Sequence, residues 1–283
     1  MQLIRGKPIA EKLLQRVADR IQSRGVTPGL AVVLVGDDPA SEIYVGLKEK
    51  AAQSVSVHFE KHVLPVDTTT AEAEALVRSL NSRADIHGII VQLPLPDGID
   101  ADAVIATIRP DKDADGFHPE TVSQFLSGAK PVPPVFPRAI LALLESTGVP
   151  LGGKQAIIFA NSRLFSQVMA TALGRVGIQS ATSLDLDPEE TSLKLTNADV
   201  VISAKGDPHF LTGDQVRSGA IVIDGGITRV GELVMSDADP ETFQDVEGYI
   251  TPVPGGVGPV TVALLIARTT ELALGEPIEG SIL

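Results

Sequence analysis

Tyr44 and Lys48 stand four residues apart in the segment PASEIYVGLKEKAAQ (residues 39–53). Four-residue spacing on a helix sends a phenol ring and an ammonium out from one face, where both can meet one ligand, while Lys50 points elsewhere. A helix surface also carries such a pair for purely structural reasons, so both readings are open. Gln92 sits at the end of the apolar run in HGIIVQLPLP (residues 87–96). The carboxyl end of a buried strand is the customary ligand position in open α/β sheets. An amide there needs a partner, either a ligand or loop backbone to cap. DKDADGFHP (residues 111–119) places Asp113 and Asp115 before a glycine, a composition that a turn explains equally well. TPVPGGVGPVT (residues 251–261) brings Pro254, Gly255 and Gly256 in front of a helical pattern. Such a loop permits close backbone approach to a flat ligand, and the helix amino terminus behind it favours an anion.

The elements that must position these residues follow from hydrophobic periodicity. Helical spacing in IAEKLLQRVADRI (residues 9–21) precedes GLAVVLVG (residues 29–36), a continuous buried-strand run. The helix at 39–53 precedes a strand over 55–64, and a helix over 70–82 precedes the strand 87–96. Uniformly apolar strands separated by amphipathic helices predict a parallel sheet covered on both faces. Residues 110–137 are proline-rich and read as a crossover. The alternation then restarts, with a helix over 138–148 and strands over 155–160, 178–184, 199–204 and 220–224. A last helix starts at 258 with no strand after it. The expectation is a two-domain α/β protein with a cleft between the domains. An amino-terminal domain of residues 1–137 is joined by the carboxyl-terminal helix 258–283, and residues 138–257 form a Rossmann-like, doubly wound parallel sheet.

The chain has 283 residues, 43% of them hydrophobic, enough for a substantial core in one or two domains. Its formal net charge of −13 argues against nucleic acid as a partner. Zero cysteines exclude disulfides and thiolate metal sites, and the five histidines (His58, His62, His87, His118, His209) show no metalloenzyme spacing, so no metal is expected. No run of 18 apolar residues and no apolar signal segment occurs. The expectation is a cytoplasmic protein without membrane attachment.

Together and in this order, VGDDPASEIYVGLKEKAA (residues 35–52), GIIVQLPLP, IRPDKDADGFHP, ADVVISAKGDPHFL, GAIVIDGGITR and YITPVPGGVGPVTVALL resemble the bifunctional methylenetetrahydrofolate dehydrogenase/methenyltetrahydrofolate cyclohydrolase (FolD) family over essentially the full length. The resemblance implies a homodimer whose amino-terminal domain takes folate and whose carboxyl-terminal domain takes NADP. It implies Lys48 as the catalytic lysine, Tyr44 as the ring stacked on folate, Gln92 as the amide holding the lysine, and Asp115 as the pterin anchor. Leu93, Pro94, Pro254, Gly255 and Gly256 are implied as further folate contacts, and Ala160, Asn161, Ser162 and Ile227 as cofactor positions. The alternative is a non-catalytic folate-binding paralogue with a regulatory role; a dehydrogenase of another small substrate is disfavoured by the Gln92 and Asp115 motifs.

The sequence also departs from that family. Its pattern G-R-S-x-x-V-G-x-P falls on Ala160, Asn161, Ser162, Phe165, Ser166 and Val168, where only the serine is kept. Side chains at 160 and 166 disfavour positive φ, which predicts a backbone unable to approach a pyrophosphate closely. Arg163 substitutes for the missing arginine or is a helix-surface residue. At the end of the next strand LDLDPEE (residues 184–190) carries four carboxylates that oppose a 2′-phosphate. Asp185 lies 25 positions beyond Ala160, near the spacing at which an acid takes the ribose hydroxyls of NAD, although a solvated loop accounts for it too. NADP binding is therefore expected to be weakened, or replaced by NAD. Phe136, where the family has a small hydroxyl residue, is expected to fill part of the cleft near the nicotinamide.

Overall fold

The computed structural model describes residues 1–230 and 233–278. In chain order its elements are β1 (Gln2–Leu3), α1 (Gly6–Arg24), β2 (Gly29–Val35), α2 (Pro39–Ser54), β3 (His58–Leu64), α3 (Thr70–Asn81), β4 (Gly88–Val91), α4 (Ala101–Thr107), α5 (Pro119–Leu126) and α6 (Val135–Ser146). Then follow β5 (Gln155–Ala160), α7 (Arg163–Arg175), β6 (Gln179–Thr182), α8 (Pro188–Asn197), β7 (Val200–Ala204), β8 (Ala220–Asp224), β9 (Ile227–Val230), β10 (Leu233–Ser236), β11 (Gly248–Ile250) and α9 (Val257–Leu274). They form two compact units. One holds Ala10–Val135 and residues 262–278; the other holds Met1–Ile9 and Phe136–Thr261.

The first unit is built on a three-stranded parallel sheet in the order β3-β2-β4. All seven residues of β2 are buried, as its unbroken apolar run requires. Local chemistry sets the helix starts. The Asp38 carboxylate accepts from Ser41 N at 2.8 Å with Pro39 opening α2, Thr69 and Glu72 form a capping box on α3, and Asp100 caps α4. One core layer joins Val33, Ile89 and Val91 of the sheet to Val77 and Leu80 of α3. From Val262 onward α9 packs into this unit: a Cβ on Gly88 would lie 2.8 Å from Thr269 Oγ1. By length and hydropathy α9 passes for a membrane span, but 61% of it is buried within the protein, which accounts for its apolar composition.

The second unit carries a six-stranded parallel sheet in the order β1-β11-β8-β7-β5-β6. From β5 the chain winds outward to β6 in one direction and through β7 and β8 in the other, so the topological switch point lies between β5 and β7. An antiparallel hairpin, β9–β10, stands apart from this sheet.

Several details differ from the sequence reading. The first nine residues belong with the dinucleotide-type unit, because β1 pairs in parallel with β11 and Ile4 N donates to Ile250 O. The crossing near 137 falls at Val135/Phe136, and α9 changes unit at Thr261/Val262. The strand read over 87–96 ends at Val91, and the strand read over 55–64 starts at His58. Helix α4 and the β9–β10 hairpin were not foreseen. Positions 279–283, assigned to the last helix from sequence, lie outside the described residues.

Two buried carboxylates tie together the carboxyl end of the larger sheet. Asp237 accepts from Ser203 Oγ and from the amides of Lys205, Gly206 and Asp207, and a Cβ on Gly226 would collide with it at 2.0 Å. Asp224 accepts from Gly226 N at 2.9 Å and Ala238 N at 2.8 Å. Burial pushes the Asp224 carboxyl up to about 7, against the pull of the amide donors and with help from the Asp237 charge. Aspartate in an unfolded chain titrates near 4, so between about pH 4 and pH 7 the folded chain holds a proton that the unfolded chain has released. Stability from this group therefore falls as pH rises through that window and levels off above it. Urea denaturation at several pH values should show this slope in the wild type and lose it in Asp224→Asn. The variant should also be weaker by about 1–3 kcal/mol, because a carboxamide offers one acceptor oxygen to two backbone donors. Identical slopes in the two proteins would rule out Asp224 as the titrating group.

Candidate active site

The first unit brings Tyr44, Lys48, Gln92 and Asp115 together. Tyr44 and Lys48 share one face of α2, as their spacing predicts, and both are half-buried. Lys48 Nζ donates to Gln92 Oε1 at 2.7 Å, and Gln92 Nε2 donates to Leu93 O at 2.6 Å. The second bond settles which end of the amide faces the lysine. Gln92 continues β4, its backbone N donating to Val33 O at 2.8 Å, so the sheet register sets its place beside α2. Leu93 and Pro94 follow as exposed residues joined by a cis peptide bond.

Asp115 reaches the site through a turn that Asp113 organises. Asp113 is 2% exposed and accepts from Gly116 N and His118 N, both at 2.9 Å. A bridge between Ile89 and Asp113 ties the turn to β4, and Asp115 O accepts from Val135 N at 2.9 Å. Gly116 is needed twice: its φ is +83°, and a Cβ would meet Pro134 Cα at 2.9 Å. The resemblance singles out Asp115, and the two aspartates differ in their surroundings: Asp113 is bound to backbone amides, and Asp115 interacts with Lys48.

The electrostatics are those of two partly dehydrated, opposite charges. Burial lowers the Lys48 pKa, and the Asp115 charge raises it part of the way back. Burial raises the Asp115 pKa, which the Lys48 charge lowers and the Asp113 charge raises. Burial also raises the Tyr44 phenol, keeping it protonated. Lys48 is thus an ammonium with a weakened hold on its proton, beside a carboxylate and at the end of an oriented amide. Such a group gives up a proton to a bound molecule more readily than a solvated lysine does.

Ser41 was missed by the sequence reading. It lies on α2 three residues before Tyr44 and seven before Lys48, on the same face, 2% exposed, and its Oγ has no hydrogen-bond partner. Its helical spacing from two already chosen residues was the available signal. Pro254, Gly255 and Gly256 belong to the other unit. There Gly255 O accepts from Gly6 N at 2.8 Å, and a Cβ on Gly6 would lie 1.9 Å from Gly256 O. Close backbone packing already accounts for part of that loop's glycine content.

Two other groupings in the first unit contribute nothing to this chemistry. A hollow of about 310 Å³ lies at the amino-terminal end of β4, the end away from Gln92, and is lined by Arg83, His87, Arg109 and Lys112 among others. Its cations are already engaged by Glu60, Asp85, Asp111 and the carbonyls of Leu80 and Arg83. His58, Glu60 and Asp85 lie close enough to share a metal ion. However, the Arg83 guanidinium bridges both carboxylates and holds Glu60 down at about 2, so a cation would have to displace it.

At the switch point of the second unit Ala160 ends β5, Asn161 Nδ2 donates to Lys205 O across to β7 at 3.3 Å, and the Ser162 side chain caps α7. Ala160 and Ser166, whose side chains are expected to keep the backbone from approaching a pyrophosphate closely, stand in a regular strand end and a regular first turn of helix. Neither position has positive φ, and α7 starts normally. Ser166 is 3% exposed, donates from Oγ to Ser162 O at 3.0 Å and accepts from Thr182 Oγ1 at 3.3 Å, so its hydroxyl is absorbed between α7 and β6. No acidic residue occupies the first turn of α7, whose free amides therefore remain suited to an anion. Phe136 packs against Phe165 at 5.4 Å between centroids, with its ring 2.7 Å from where a Cβ on Gly225 would stand. Asp185 pairs with Arg163 at 2.7 Å, and Ile227 opens β9 as an exposed residue.

Comparison with known proteins matches both units. Residues 4–115 match the tetrahydrofolate dehydrogenase/cyclohydrolase catalytic domain, and residues 134–276 match the NAD(P)-binding domain of the same family. The chain is 41% identical over 278 residues to the bifunctional protein FolD of Geotalea uraniireducens (strain Rf4), an alignment covering 96% of this chain and 98% of that one. Its structure is similar to the crystal structure of the bifunctional enzyme FolD from Campylobacter jejuni, with a TM-score of 0.89, 36% identity, and 97% and 99% of the two chains covered. It is also similar to the Trypanosoma brucei FolD complexed with NADP cofactor and inhibitor, with a TM-score of 0.88, 30% identity, and 96% and 97% covered. Two domain matches in sequence order and near-complete coverage at this identity establish that the chain belongs to the tetrahydrofolate dehydrogenase/cyclohydrolase family.

Proposed function

We propose that this chain carries out both reactions of its family, oxidation of 5,10-methylenetetrahydrofolate and hydrolysis of the resulting 5,10-methenyl form to 10-formyltetrahydrofolate. The observation that carries the reading is the Lys48–Gln92 hydrogen bond of 2.7 Å beside Asp115, because a protein that only bound folate would have no evident use for an oriented, partly dehydrated ammonium.

In the hydrolysis, water adds to the bridge carbon, the bond from that carbon to N5 breaks, and the formyl group stays on N10 with one proton released. Lys48 serves this step by moving a proton at Nζ, and Gln92 holds Nζ in place, restricting a side chain with four rotatable bonds. Tyr44 presents its ring to the flat folate. Asp115 accepts the paired donors of the pterin amino group and adjacent ring nitrogen, which fixes the ring orientation. Leu93, Pro94, Pro254, Gly255 and Gly256 are assigned as further folate contacts. For the oxidation, a bound nicotinamide dinucleotide supplies the hydride acceptor. Ala160, Asn161, Ser162 and Ile227 are the residues assigned to hold it, and the open first turn of α7 supports that assignment. The reading requires no metal ion.

The proposal includes a homodimer in the cytoplasm, where these polar metabolites are dissolved. The outer edge of β3 pairs with no strand among the described residues, and Val63 and Val66 at its end, with Ile43 and Leu47 on α2, are large apolar side chains left exposed. Light scattering on the purified protein should give twice the 29.7 kDa chain mass. A mass of one chain at micromolar concentration would remove the dimer from the proposal.

Lys48→Met should lower methenyltetrahydrofolate hydrolysis by about 10²- to 10⁴-fold, the range for loss of a positioned proton-transfer group, and should also impair the oxidation. The readout is the decay of methenyl absorbance at saturating substrate; hydrolysis within threefold of wild type would sink the assignment. Asp115→Ala should raise KM for the folate before it lowers kcat. It should also move the acid limb of the kcat–pH profile to lower pH, because removing the carboxylate removes the influence that raises the Lys48 pKa. An acid limb that moves to higher pH would show that Lys48 is not the titrating group.

A further inference from the structure

The acidic turn after β6 sorts into groups with and without a structural task. Asp187 caps α8, accepting from Glu190 N at 2.8 Å, and Glu190 returns the favour by accepting from Asp187 N at 3.3 Å. Those two carboxylates are committed to the capping box. Asp185 has no such task. It lies three residues past the end of β6, with its side chain 58% exposed, and its partner is Arg163 at the first position of α7. Arg163 also donates to Leu184 O at 3.4 Å. A cation opposes the dipole at a helix amino terminus, and Asp185 offsets it.

This geometry fits one kind of dinucleotide better than the other. In a doubly wound sheet the pyrophosphate sits at the amino terminus of the helix after the first strand, here α7 after β5. The adenosine ribose then falls at the end of the neighbouring outer strand, here β6. A carboxylate there accepts from the vicinal ribose hydroxyls, whereas a 2′-phosphate would be driven against Asp185, with Asp187, Glu189 and Glu190 close behind in the chain. The residues at this position do not fit the 2′-phosphate of NADP. Arg163 is the one basic side chain joined to the turn by a described ion pair, and its charge is already matched by Asp185. Asn161, which stands where the family has its arginine, is turned toward Lys205 O.

We infer that Asp185 is the residue that selects the dinucleotide, accepting the ribose hydroxyls of NAD and rejecting NADP, with Arg163 as its positioning partner. The inference rests on the dinucleotide reading of the second unit and deepens it.

The test is a fluorescence titration of the full-length protein, without folate, with NADH and NADPH separately. NADH should bind at least about tenfold more tightly than NADPH, a modest gap for an added phosphate dianion beside an exposed carboxylate. Raising the salt concentration should narrow the gap by screening that repulsion. Asp185→Asn should weaken NADH roughly tenfold through loss of charge-assisted hydrogen bonds, while NADPH should improve. Glu189→Gln removes an equal charge four residues away and should leave the preference within about twofold of wild type. If it relaxes the preference as much as Asp185→Asn, the acidic field and not Asp185 is responsible, and the assignment is overturned. Equal or tighter binding of NADPH, lost in Arg163→Ala, would give the arginine to the 2′-phosphate and overturn it as well. If neither nucleotide binds, the inference fails outright; continued hydrolysis of methenyltetrahydrofolate by the same preparation would then show that the folate reading survives on its own.

Discussion

The hydrogen bond from Lys48 to Gln92 is the constraint around which the first unit is organised. An ammonium drawn partly out of water is costly unless it gains acceptors or gives up its proton, and the site supplies an incomplete set of acceptors. Gln92 offers one oxygen, fixed because its amide nitrogen is occupied by Leu93 O. Asp115 offers a charge that is itself weakened by burial and by Asp113. Holding both partners in place requires the parallel register of β2 and β4, the cap that starts α2 at Pro39, and the Asp113 turn that presents Asp115. A rigid sheet of buried valines, leucines and isoleucines thus serves a lysine whose proton is only moderately held.

The second unit solves a different problem. Its carboxyl strand ends are crowded with buried polar groups, yet nearly every one has a partner. Asp237 gathers three consecutive amides and a serine hydroxyl after β7, and Asp224 gathers two more amides after β8. Successive amides pointing at one carboxylate form a nest that would otherwise attract an external anion. Here an internal carboxylate fills it, which leaves the amino terminus of α7 as the open anion-binding feature at the switch point. The paired glycines 225 and 226 follow from this crowding, one facing the Phe136 ring and the other facing Asp237.

Much of this was legible in the sequence where the cause is local. The unbroken apolar run of β2, the helical spacing of α2 and α3, the four-residue spacing of Tyr44 and Lys48, and the strand-end position of Gln92 all show in short stretches of sequence. Elements held by distant partners were not legible. Strand β1 is two residues long and exists because β11 offers an edge more than 240 residues away, to which Met1 N adds a bond to Phe243 O. The β9–β10 hairpin shows Ile227, Leu233 and Val234 to solvent and so lacks a strand pattern with one apolar face. Helix α4, seven residues long, is shorter than a reliable amphipathic signal. Ser41 was hidden because serine near a helix start reads as capping chemistry, although the cap here is Asp38.

The unequal fate of the two motifs has a physical basis. Folate chemistry needs particular atoms at particular places: a nitrogen that moves a proton, an oxygen that orients it, a carboxylate that matches a donor edge. In the proposed function each of these is a side chain, so Lys48, Gln92 and Asp115 cannot be exchanged for residues of similar size without losing the atom. A dinucleotide pyrophosphate is held largely by backbone amides and a helix dipole, which any residue supplies provided the turn keeps its shape. In this chain Ala160 ends β5, Ser162 caps α7, and Ser166 buries its hydroxyl against Ser162 O and Thr182. The path from β5 into α7 needs no glycine here, because neither Ala160 nor Ser166 has positive φ and the Ser166 hydroxyl finds its partners inside the unit.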